Sequence, residues 1–114
     1  MEPMSQDGVS SDRMLLTVVL RHDQSNTLDE IQARLKAAAW WDRFPPPNVE
    51  IVSWVVAMGL GQIVTLSLPA ALLPAVNVAL ERSAWGVFRS ECYPAYDFMP
   101  VRERIRERVR NGGQ

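Results

Sequence analysis

The sequence predicts an α+β domain: a single antiparallel sheet with helices laid against it. Three observations carry that expectation. Short runs of β-branched and leucine residues alternate with segments whose apolar residues recur every three or four positions. A capping box marks the place where the first such run gives way to a helix. A chain of 114 residues builds one core rather than two. With 47% apolar and 22% charged residues, the composition is that of a folded globular chain rather than a disordered one.

The elements follow in order. Met14 to Leu20 (MLLTVVL) reads as the first strand, closed by the polar cluster Arg21 to Asn26. In Thr27-Leu28-Asp29-Glu30 the hydroxyl and the carboxylate three residues on satisfy free amides of a first helical turn. Leu28, Ile31, Leu35, Ala38 and Ala39 then form one apolar stripe, ending near Ala39. Pro45-Pro46-Pro47 has fixed φ angles and no amide donors, so it forms an extended connector after Trp40, Trp41 and Phe44. Val49 to Met58 and Gln62 to Leu68 are two strands joined by Gly59-Leu60-Gly61, a hairpin loop in which glycine permits positive φ.

Ala70 to Arg82 is a second helix, buried through Leu72, Leu73, Val76 and Leu80. Pro74 belongs in its first turn, because in a helix interior it costs about 3 kcal/mol. Trp85-Gly86 ends that helix. A fourth strand around Arg89 to Tyr93 is interrupted by Pro94, which places it at a sheet edge. Pro100 to Arg110 carries Val101, Ile105 and Val109 four apart, with arginine and glutamate elsewhere, and forms a terminal amphipathic helix before a frayed tail.

Charge and residue usage narrow the function classes. Twelve basic and thirteen acidic side chains leave a formal charge of -1. That gives no general attraction to nucleic acid or to an anionic membrane, so neither is an expected partner. Cys92 is the lone cysteine and His22 the lone histidine, so one chain offers no disulfide and no zinc cluster. Walker, GxGxxG and HExxH motifs are missing, and no metal or cofactor is expected. Met1 to Arg13 is polar and acidic, unlike a secretory leader, and is expected to be a disordered segment. Glycines, Ser67 and prolines break the apolar runs before they reach spanning length, and a cytoplasmic protein is expected.

Strand, helix, strand, strand, helix, strand is the order of the ferredoxin-like, or split βαβ, fold, with spatial strand order 4-1-3-2 and both helices on one face. The domain is expected over 14–98, with the terminal helix and tail over 99–114. A sheet covered on one face only should alternate apolar with polar residues. The first strand instead places Leu16, Val18 and Leu20 on one side and Leu15, Thr17 and Val19 on the other. The second apolar face calls for another partner, simplest as a second copy, which yields a homodimer paired through its sheets as a dimeric α+β barrel. The alternative is that the terminal helix folds back over that face.

The strings HDQSNTLDEIQARL, PPPNVEIVSW, AMGLGQIVTLSLP, VNVALERSAWG and ECYPAYDF, spread over Leu15 to Phe98, resemble a group of small bacterial proteins of the dimeric α+β barrel superfamily that has no assigned reaction. The layout is also similar to that of muconolactone isomerases. None of their active-site motifs maps onto this chain, so the resemblance implies fold and dimer alone.

Chemistry is expected where the first strand ends. His22 lies at the rim between sheet and helices, and an antiparallel fourth strand beside the first brings Trp85, Arg89 and Glu91 toward it. His22 and Glu91 are the candidate catalytic acid and base, with Arg89 holding an anionic substrate. Trp85, Asn77 and Tyr93 are further candidate substrate contacts. Each has a plainer reading: a solvated loop histidine, an edge ion pair, a packing tryptophan, a helix amide facing water. The function this supports is binding, or cofactor-independent conversion, of a small aromatic or anionic molecule between sheet and helices. A non-catalytic dimeric module is the alternative.

Overall fold

The computed structural model describes residues 13–112. The expected disordered segment lies outside them except for Arg13, which opens the first strand. The elements are β1 (Arg13–His22), α1 (Leu28–Ala37), α2 (Trp40–Arg43), β2 (Glu50–Ala57), β3 (Gly61–Pro69), a 3-10 turn (Ala70–Leu72), α3 (Leu73–Ser83), β4 (Phe88–Ala95) and α4 (Met99–Arg110). The four strands form one antiparallel sheet in the order β2-β3-β1-β4, which counted from the other edge is 4-1-3-2.

Local chemistry accounts for most boundaries. Thr27 caps α1: its hydroxyl accepts from the Glu30 amide at 3.2 Å, and the Glu30 carboxylate accepts from the Thr27 amide at 2.7 Å. Pro74 sits in the first turn of α3, where a missing donor costs nothing. Pro94 does not interrupt β4, which runs on to Ala95, because β4 is an edge strand and a proline nitrogen there faces no neighbour. The expected elements include no counterpart of α2, a single turn entered through Ala39 in a left-handed conformation (φ 59°). That turn carries Trp40 into the core.

The core lies between sheet and helices. Leu16, Val18 and Leu20 of β1 and Val64, Leu66 and Leu68 of β3 point into it, none more than 4% exposed. They meet Ile31 and Leu35 of α1, Trp40 of α2, and Val76, Ala79 and Leu80 of α3. Burying one such side chain is worth about 1.5–3 kcal/mol, and this layer is the main source of the domain's stability. Trp40 is its largest member, stacked on Phe44 at 4.5 Å and edge-on to Trp54 at 6.2 Å.

The opposite face is bare. Leu15, Thr17, Val19 and Ile63 on it are only half-buried, and Val55 is exposed. The terminal helix α4 does not cover them: none of its residues is buried, and no other element packs extensively along it. The described chain is accordingly flat and long, 56 × 36 × 16 Å, with a radius of gyration of 18.0 Å. A compact domain of this size has a radius of gyration of roughly 13 Å.

Candidate functional site

Two adjoining clefts open at the end of the sheet where β1 finishes. The larger, about 700 Å³, is walled by three chain segments: Arg21 to Gln24 at the end of β1 and just past it, Gly59 and Leu60 at the β2-β3 hairpin, and Gly86 to Arg89 at the start of β4. The smaller, about 290 Å³, runs under α1 and is lined by Leu28, Ile31, Gln32 and Leu35 of that helix together with Asn26, Gln62 and Phe88. His22, Asp23, Gln24 and Phe88 line both.

Backbone and side-chain bonds hold these walls together. The His22 amide donates to the Leu60 carbonyl at 3.0 Å, and the Gln24 side-chain amide donates to the Gly59 carbonyl at 3.4 Å. Gly61 makes the close approach possible: its φ is +144°, and a Cβ there would run into the Leu20 backbone carbonyl. Only glycine adopts such a conformation freely. Asp23 closes its own turn, accepting from the Ser25 hydroxyl at 2.6 Å and the Ser25 amide at 3.0 Å. These two bonds hold its carboxyl below the ordinary range.

His22 is half-buried and stacks on Phe88, its register partner on β4, at 5.9 Å between ring centres. β4 does run antiparallel beside β1; from the face that carries Glu91, and in register with Arg21, Arg89 joins His22 in lining the larger cleft. Neither side chain has a hydrogen-bond or ion-pair partner among the described residues. Glu91 is elsewhere. It is the register partner of Val19, on the bare face of the sheet, where the Arg21 Nε donates to its carboxylate at 3.0 Å and the Tyr93 hydroxyl donates to the other oxygen at 3.1 Å. The bond from Arg21, then that from Tyr93, holds the Glu91 carboxyl below its ordinary range, and the same carboxylate raises the Tyr93 phenol. The expected His22–Glu91 acid-base pair is therefore not formed. Glu91 stands an odd number of residues beyond Phe88, the register partner of His22, and the strand period of two turns the pair to opposite faces.

The remaining candidates are also away from the clefts. Trp85 is 62% exposed at the end of α3. Asn77 faces outward on α3 and donates to Glu81 at 3.1 Å, one helical turn on. Tyr93 shares the bare face with Glu91. Cys92 sits on edge strand β4 with its thiol pushed up by desolvation, the wrong direction for a nucleophile. Among the described residues no group of three or more metal-ligating side chains comes together, and no helix is long and apolar enough to cross a membrane.

Phe88, Asp23, Gln24, Leu60 and Gln62 are lining residues that sequence reasoning missed. The signal for Phe88 was available, since the alternation that places His22 on the helix side selects even-numbered positions of β4. The hairpin residues carried no signal, because their place follows from how β3 pairs with β1. Comparison with family profiles, curated proteins and solved structures gives no match.

Proposed function

We propose that this chain is one half of a ferredoxin-like homodimer, two sheets facing one another as a dimeric α+β barrel, and that each half binds a small anionic molecule with an apolar body at the His22 end. The observation that carries the binding reading is the pairing of a polar mouth with an apolar rear wall. Arg89 and His22, neither hydrogen-bonded through its side chain among the described residues, line the mouth, Arg89 from the bare-face side, and Leu28, Ile31, Leu35 and Phe88 line the adjoining cleft on the helix side. A guanidinium at the rim recognises a carboxylate by charge-assisted hydrogen bonds, and the aliphatic and aromatic side chains accept a ring. The dimer reading rests on the bare sheet face, where Leu15, Val19, Val55 and Ile63 lie without a cover among the described residues, and on a shape far flatter than one compact domain.

Because Glu91 does not share the cleft with His22, the proposal is of binding, without a named reaction. Benzoate is a suitable probe. Its titration into isotope-labelled protein is expected to shift the amide signals of residues 21–24, 59–60 and 86–89, and Arg89→Ala is expected to weaken binding at least tenfold, the size of one lost charge-assisted bond. Shifts confined to other parts of the chain, or equal binding of benzyl alcohol, which lacks the carboxylate, would reject the site.

A further inference from the structure

The two edges of the sheet are not alike. β4 is protected by means that sheet proteins ordinarily use: charged Arg89 and Glu91, and Pro94, which has no amide to offer. β2 is not. Ile51, Val52, Val55 and Val56 are each 46–63% exposed on it, and its one irregularity, a register shift between Ile51 and Ser53, leaves the run from Trp54 to Ala57 regular. A strand with this much exposed apolar surface and a free row of backbone groups needs a cover. One uncommitted apolar stripe is present on α4, where Ile105 and Val109 are exposed and follow exposed Phe98. Yet α4 departs from β4, the edge farthest from β2, with only Tyr96 to Phe98 between.

We infer that α4 is an exchanged arm: in the face-to-face dimer proposed above, on which this inference rests, the stripe of Phe98, Ile105 and Val109 from one copy covers the β2 edge of the second. Symmetry supplies the reach. When two sheets pack face to face about a two-fold axis parallel to the strands, left and right exchange, so β4 of each copy stacks over β2 of the other. The helix leaving β4 then starts beside the bare edge it is to cover.

Area points the same way. Four strands of this length present a face of roughly 600 Å² per copy, so sheet pairing alone buries about 1,200 Å², the lower limit for a stable interface. Each arm, about 18 Å long, adds about 350 Å² counting both surfaces, which brings the total to about 1,900 Å². Pairing of the two arms with each other is disfavoured by charge, since Arg102, Arg104, Arg106, Arg108 and Arg110 outnumber Glu103 and Glu107 on each helix.

The test uses the full-length chain. Ile105→Glu is expected to weaken self-association at least tenfold by sedimentation velocity while leaving the circular dichroism of the monomer unchanged. In a Cys92→Ser background, a Val56→Cys chain mixed with a differently tagged Ile105→Cys chain is expected to give a disulfide-linked heterodimer on mild oxidation. A dimer that Ile105→Glu does not weaken, and in which these cysteines do not cross-link, overturns the arm and leaves the sheet pairing standing. A monomeric unmodified protein at micromolar concentration overturns both. A monomer whose melting temperature Ile105→Glu lowers at every concentration shows that the helix packs on its own chain, which also overturns the arm.

Discussion

The two faces of the sheet are built from the same strands, often from neighbouring residues, yet they end in opposite states. Val18 is wholly buried under the helices, while Val19 beside it is half-exposed on the bare face. Leu16 and Leu15 repeat the contrast. Residue type does not decide burial here; strand parity does, through which side the helices occupy. The covered face is a finished core. The other carries similar side chains with nothing from the described chain laid over them, and at one end it also holds the Arg21–Glu91–Tyr93 cluster, a polar group that a core could not admit so cheaply.

The contrast can be broken most strongly on the covered side. Leu20→Ala removes a fully buried side chain. It is expected to lower unfolding free energy by about 2–5 kcal/mol, read from urea denaturation. A loss below about 1 kcal/mol would mean that the helix-side layer is not the main core. Moving one residue along, Val19→Asp is expected to cost the monomer only about 1 kcal/mol, the span of strand preference at an open position. In the proposed dimer its effect falls on association instead. Val19 lies in register between Ile63 and Glu91, and a charge there is expected to leave a folded monomer in light scattering.

The smallest effect concerns the polar end of the bare face. Glu91 has a folded-state pKa below its unfolded value, so its contribution to stability is present above the unfolded pKa and is lost as pH falls through the folded one. Arg21→Ala should remove the larger cause and move the Glu91 carboxyl titration upward, as followed by carbon NMR of the side chain. An unchanged titration would mean that Arg21 does not hold this carboxylate in solution.

Much of the fold was legible because each strand and long helix is locally self-consistent. Thr27 with Glu30 writes a helix start, Pro74 can only be in a first turn, and Gly59-Leu60-Gly61 closes a hairpin between two β-rich runs. The short helix α2 was not legible: Trp40 and Trp41 favour strands, and one turn before three prolines leaves no periodicity to detect. In the site, sequence reasoning placed His22 and Arg89 at the same end of the sheet by strand adjacency. It failed for Glu91 by neglecting to carry the alternation across to β4, and for Trp85 and Asn77 because nothing in a helix end or a helix amide states which way it faces.

The hairpin at the mouth of the cleft has two glycines with very different freedom. Gly59 has φ +84° with nothing within 4 Å of where a side chain would begin, whereas Gly61 is pressed against the backbone of β1. Gly59, on the rim of the larger cleft, has open space around it, but at φ +84° its backbone favours glycine, so the loop is to be lengthened by residues inserted beside a retained glycine. At Gly61 no replacement fits without prising the hairpin off its neighbour. One tight loop is thus divided between a margin with room around it and an anchor fixed against the neighbouring strand.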